Sequence, residues 1–294
     1  MPAAGVPGFF GQNRRRLRPV GLDLTFVYDT SGSMNAVNNF IRQISTARRI
    51  EFALRDQLVG IQQPNRYSQS EMSVELSFGG QRWVTGDQIL GNLSSWNNPT
   101  AGGILTGNDE EDVTGSARAI AESDRGYRDG IQRIMLSFSD EQSGSDLDVS
   151  NAVIDALTDP VDGQIFIAAS GITLTISPTP AGAPGAGWEP FGLVYTTQTT
   201  GVAIYRNTST NAVEYVNVPI ADTTWASGGT AFAVDGNLIL PGGSLSQLVN
   251  TPKLAYLTGG AVYAIDDMTS SAALDAFGQS IGTVLGSLLY SLLS

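Results

Sequence analysis

The sequence contains no cysteine and no histidine. The first absence excludes disulfides, thiolate nucleophiles and cysteine-bound zinc. The second excludes Ser-His-Asp triads and haem or copper held by imidazole. Any bound metal must be held by oxygen, which selects hard cations such as Mg²⁺, Mn²⁺ or Ca²⁺. Charge is scarce too, at 15% of residues, and it is one-sided: 16 basic against 28 acidic side chains, a net charge of −12. Lys253 is the single lysine; every other basic residue is an arginine. So acidic a chain is expected not to bind nucleic acid, because phosphate contacts need clustered positive charge. The cluster Arg14, Arg15, Arg16 and Arg18 reads as a solvated arm on an acidic protein. No run of about 18 apolar residues occurs, so no membrane span is expected. Residues 1–19 lack the apolar stretch of a secretory signal. These features define no compartment; a virion or a cell surface reached by another route is compatible with them.

What is present is ample apolar material, 41% of 294 residues, enough to bury a sizeable core. Leu22 to Tyr28, Arg133 to Ser139, Gln164 to Ala169 and Ala261 to Ile265 are short apolar, β-rich runs and read as buried strands. Between them lie segments of helical period: 36–59, with Phe40, Ile41, Ile44, Ala47, Ile50, Leu54 and Leu58, then 114–123, 147–157 and 245–257. A final helix is expected over 271–293. Residues 73–78 and 81–85 flank Gly79-Gly80 and read as a hairpin. Strands alternating with helices predict an α/β fold with a doubly wound, mostly parallel sheet flanked by helices. The alternation stops between 171 and 243, where a Pro/Gly/Ala-rich stretch precedes runs of β character only. The expected organisation is an N-terminal arm (1–20), a first part of the α/β domain (21–170), a β-rich insertion (171–243), and the last strand and helix of the α/β domain (244–294).

The sequence Asp29-Thr-Ser-Gly-Ser-Met34 stands where the first strand hands over to the first helix. Ligands of open α/β sheets bind outside the carboxyl ends of the strands. Asp29, Ser31 and Ser33 put three oxygens on one tight loop, a donor set that suits a hard cation. Taken alone, Ser31 or Ser33 reads more readily as a helix cap, and Thr114 reads as the cap of its own helix. Asp140 alone reads equally as a turn residue. An Asp, two Ser, a Thr and a second Asp, each at the top of a different α/β unit, are less readily accidental.

This arrangement resembles the von Willebrand factor A family and its metal-ion-dependent adhesion site, a DxSxS motif completed by a distal Thr and a distal Asp. Here DxSxS is Asp29, Ser31 and Ser33 within Thr25-Phe-Val-Tyr-Asp-Thr-Ser-Gly-Ser-Met34, and the distal Asp position is Asp140 in Leu136-Ser-Phe-Ser-Asp140. The distal Thr matches Thr114, with Thr106 as its rival; the family's Gly-Gly-Thr is absent at Thr114, and its Asp-Gly is Asp140-Glu141 here. Residues 254–263 are similar to the segment leading into the family's last strand. The resemblance implies a divalent cation, Mg²⁺ before Mn²⁺ or Ca²⁺, with hydroxyls in direct contact and one or both carboxylates held through water. It also implies an open position for an Asp or Glu of a partner protein, and hence a binding module, not an enzyme. A phosphatase using an Asp nucleophile after a buried strand would need a second carboxylate at the position of Ser31. The alternative function is a structural component of a large assembly, such as a virion or surface appendage. Within the expected insertion, Trp188, Phe191 and Trp225 stand in a charge-poor stretch and are the expected partner contacts, with a small core of the insertion's own as the equal alternative.

Overall fold

The computed structural model describes residues 21–29, 34, 40–57, 63–71, 74–91, 93–97, 100–101, 120–121, 123–139, 155–159, 163–170, 173–176, 179–196, 200–220, 223–227, 230–233, 251–265 and 269–293. In chain order these form β1 (Leu22–Tyr28), α1 (Ile44–Gln57), β2 (Arg66–Glu71), β3 (Val74–Ser77), β4 (Val84–Thr85), α2 (Gly86–Leu90), β5 (Thr100–Ala101), β6 (Gln132–Ser139), β7 (Gln164–Ser170) and β8 (Thr173–Ile176). Then come β9 (Trp188–Tyr195), β10 (Thr200–Asn207), β11 (Val213–Pro219), β12 (Thr223–Ser227), β13 (Thr230–Ala233), α3 (Thr251–Thr258), β14 (Ala261–Ala264) and α4 (Ser271–Leu293).

The main sheet runs β11-β10-β9-β14-β7-β6-β1-β2-β3-β5, with β3 and β4 both paired to β2. Its centre, β14-β7-β6-β1-β2, is parallel throughout. Both margins are antiparallel. Within the run β3-β2-β1-β6-β7-β14 the strands follow the order of a doubly wound sheet, with β3 reversed. The order therefore switches direction between β1 and β6.

β1 is buried on both faces. Leu22, Leu24, Phe26 and Tyr28 join a core with Ile44, Ala47, Ile50 and Leu54 of α1 and with Ala273, Leu274, Phe277 and Ile281 of α4. The three- and four-residue spacings on α1 and α4 lay these side chains along one stripe of each helix. Val27, Met135 and Phe166 point to the opposite face and pack with Leu157 and with Leu254 and Ala255 of α3. The Thr258 hydroxyl closes α3 onto β7: it donates to Leu254 O at 2.9 Å and accepts from the Phe166 N–H at 3.0 Å. Helices thus cover both faces of the sheet.

α1 and α4 cross closely because α4 carries glycine at the crossing. A Cβ on Gly282 would lie 2.1 Å from Ala53 Cβ, and one on Gly278 would lie 2.7 Å from Arg49 Cβ. Helix propensity alone favours Gly282→Ala by about 1 kcal/mol. Overpacking costs roughly 1–3 kcal/mol, and Ala53 has no rotamer by which to yield. Packing is expected to win, with Gly282→Ala melting below the wild type. A melting temperature equal to or above wild type would contradict the crossing.

Two expectations change in detail. Gly79 and Gly80 do form the expected turn, at φ 59° and 85°, bridged by Phe78 and Gln81. The strands then diverge, and β3 and β4 each pair with β2 instead of with each other. The stretch 171–243 is β-rich where described, but its strands go to two places. β9, β10 and β11 extend the main sheet through antiparallel pairing of β9 with β14, Val194 opposite Ala261. β8, β12 and β13 form a separate three-stranded sheet.

Candidate functional site

Asp29 follows directly on β1, and Ser139 ends the adjacent parallel strand β6, one residue before Asp140. Tyr28 is level with Phe138, which puts Asp29 level with Ser139 across the point where strand order reverses. In open α/β sheets the crevice at that switch point is where ligands bind. Two bonds tie Asp29 to β6. Its N–H donates to Phe138 O at 2.9 Å, and its Oδ2 accepts from the Ser139 hydroxyl at 2.5 Å. Asp29 is 1% exposed and Ser139 5%. A carboxylate at the end of a strand is thus held inside the protein, not on an open acidic surface.

Met34, the last residue of the motif, is fully buried in the same core as the apolar side chains of α1. The neighbouring Tyr28 hydroxyl accepts from Gln69 Nε2 at 3.0 Å, and the Arg42 guanidinium lies 5.1 Å from its ring centroid. Burial pushes the Tyr28 phenol far above its ordinary range, against the smaller opposing pull of Arg42 and Gln69, so the ring stays neutral. Arg42, just ahead of α1, is ion-paired to Glu71 at the carboxyl end of β2. The edge of the sheet that carries Asp29 is therefore built from β1, β2 and β6 together.

Of the site residues expected from sequence, Asp29 is placed at this edge; Ser31, Ser33, Thr114, its rival Thr106, and Asp140 lie outside the described residues. Among the described residues no three acidic side chains converge as a metal-binding group. Trp188 is half-buried at the start of β9. Phe191 is a correction to its expected role in partner contact. It is 1% exposed, packs edge-on against Tyr263 at 5.9 Å, and is covered by Arg206 at 5.0 Å, so its ring belongs to the core. The backbone of Trp225 lies in β12, opposite Leu174 and Phe232. The contact that sequence reasoning missed is Ser139. Its signal was its place, at the end of a strand parallel to β1 and immediately before Asp140. No helix among the described residues is long and apolar enough to cross a membrane.

No protein-family model matches this sequence, and no curated protein matches it significantly. Among solved structures it is similar to the crystal structure of the manganese-loaded Plasmodium vivax TRAP protein, at 12% identity over 68% of this chain and 92% of that chain, with a TM-score of 0.33. So loose a likeness defines neither fold nor site, which rest on the strand order and contacts above.

Proposed function

We propose that this chain is a von Willebrand factor A-type binding module. In this reading it holds a divalent cation at the carboxyl ends of β1 and β6 and recruits an acidic group of a partner protein through it. The observation that carries the reading is the buried Asp29 carboxylate at the switch point, fastened to β6 by Ser139. Taking a carboxylate out of water is costly, and a bound cation beside it offsets that cost. The donor chemistry fits a hard cation: carboxylate and hydroxyl oxygens, with no thiolate or imidazole in the sequence. Ser31, Ser33, Thr114 and Asp140 are the residues that would complete the set with Asp29. The ion would supply an electrophilic open position for an Asp or Glu of the partner; the chain's own part is to hold and orient it. Mg²⁺ is the first choice, then Mn²⁺ or Ca²⁺.

Calorimetric titration with Mg²⁺ tests this reading. Asp29→Ala is expected to weaken binding by at least about 100-fold, beyond the roughly 10- to 100-fold cost of losing an outer-shell group. Stability should move by no more than about 1 kcal/mol, since the Ser139 hydroxyl loses one hydrogen bond worth about that much and a buried charge is relieved. Unchanged Mg²⁺ affinity in Asp29→Ala would refute the site.

A further inference from the structure

Resting on that reading of the site, we propose that Ser139 is a positioning residue that holds Asp29 to one-oxygen presentation and so sets the preference for small octahedral cations over calcium. The hydroxyl donates to Asp29 Oδ2 at 2.5 Å, between two residues that are 5% and 1% exposed. The Asp29 backbone is fixed from the same strand through Phe138 O. With the main chain held, the two side-chain torsions of Asp29 are the remaining freedoms, and the Ser139 bond restricts them. Hydrogen bonds of this kind orient metal-binding groups and tune their basicity.

The consequence is selective. Calcium takes six to eight oxygens in flexible geometry and often uses a carboxylate through both oxygens; Mg²⁺ requires near-octahedral geometry with single-oxygen donors. An oxygen that accepts from Ser139 is turned toward β6 and has one lone pair engaged, which disfavours its joining its twin on the ion. Coordinating directly through its other oxygen, Asp29 then serves a small octahedral ion better than calcium. Mn²⁺ is a suitable probe for the octahedral class.

The test compares Mn²⁺ and Ca²⁺ affinities in the full chain for wild type, Ser139→Thr and Ser139→Val. Thr keeps the hydroxyl; Val has nearly the same shape without it, so the pair separates the hydrogen bond from packing. The ratio of Mn²⁺ to Ca²⁺ affinity is expected to fall about tenfold or more in Ser139→Val and to stay within about threefold of wild type in Ser139→Thr. An unchanged ratio in Ser139→Val, even with both affinities lowered together, would mean a merely structural serine and overturns the proposal while leaving the metal site standing. Wild-type chain that binds neither ion would overturn the site itself, and the proposal with it.

Discussion

Replacing Glu51 by alanine is expected to destabilise the fold by about 3–5 kcal/mol, the usual cost of removing one partner from a buried ionic network. Glu51 lies on α1 and is 1% exposed. Its Oε1 accepts from Arg55 Nε at 2.6 Å. Its Oε2 accepts from Asn65 Nδ2 at 2.9 Å and from the Tyr67 hydroxyl. Asn65 in turn accepts the Leu22 N–H at 3.2 Å through Oδ1 and the Gly86 N–H at 2.9 Å through its main-chain carbonyl. One carboxylate therefore ties α1 to the starts of β1, β2 and α2. Gly86 leaves room for it: a Cβ there would lie 2.0 Å from Glu51 Oε1. Alanine would strand the Tyr67 hydroxyl and the Asn65 amide in the core, while Arg55, which also pairs with Asp87, would keep a partner. Burial, and then the Glu51 charge and hydrogen bond, push the Tyr67 phenol well above its ordinary range, so it is a neutral donor at neutral pH. Urea denaturation measures the loss. Pairing Glu51→Leu with Tyr67→Phe should recover part of it, because fewer polar groups are then left unsatisfied. A cost below about 1 kcal/mol for Glu51→Ala would show that the network contributes little.

The same network explains why β2 is hard to read in the sequence. Arg66-Tyr-Ser-Gln-Ser-Glu71 has no apolar alternation, and sequence reasoning assigns it no element, yet the strand is buried nearly throughout and parallel to β1. Its polar side chains are tolerated because other elements meet them. Tyr67 donates to Glu51, Ser68 bonds to Thr25 at 2.9 Å, Gln69 donates to Tyr28, Ser70 accepts from Arg125 at 3.2 Å, and Glu71 pairs with Arg42. Those partners lie far away in sequence, so no local pattern announces them. β1, β6, β7 and β14 are legible for the opposite reason: a strand covered on both faces by apolar neighbours reads as an apolar run on its own. β9, β10 and β11 are legible as strands but not as part of the main sheet. Periodicity states which face of a strand is buried, not which strand lies beside it.

The candidate site divides similarly. Asp29 is legible from its place at the end of an apolar strand with hydroxyl residues following. Ser139 is not, because a serine at a strand end has many ordinary uses. What singles it out is the register of two parallel strands that bring it level with Asp29. Phe191 misleads because aromatic residues in a charge-poor segment suit an interface and a core equally. Its position one residue from Gly192, against which Tyr263 packs, settles it as core.

At the amino end of β1 a second buried carboxylate yields a prediction with a defined pH dependence. Asp23 is fully buried. Arg66 reaches it through Nε at 3.0 Å and Nη2 at 2.6 Å. Arg128 reaches it through its backbone N–H at 2.9 Å, Nε at 2.9 Å and Nη2 at 2.6 Å. Burial by itself would raise the Asp23 carboxyl; the hydrogen bonds from Arg66 and Arg128, with the Arg128 charge, outweigh it and hold the group below the ordinary carboxylate range. A depressed folded value means stability that is present above the unfolded pKa, about 3.9, and is lost as pH falls through the folded one. Asp23→Ala is expected to cost about 3 kcal/mol at pH 7, the low end for a broken buried pair, because Arg66 and Arg128 retain 20% and 19% exposure and can turn to water. Urea melts of both proteins at pH 7, 5, 4, 3 and 2.5 test this. Every other titrating group is common to the two, so their difference in stability isolates Asp23. It should hold level from pH 7 to about 5 and narrow below about pH 4, as the wild-type carboxylate takes up its proton. A difference that stays constant down to pH 2.5 would mean that the charge on Asp23 contributes nothing and that shape alone is lost with the side chain. A difference that widens as pH falls would mean that burial, not the two arginines, governs this group.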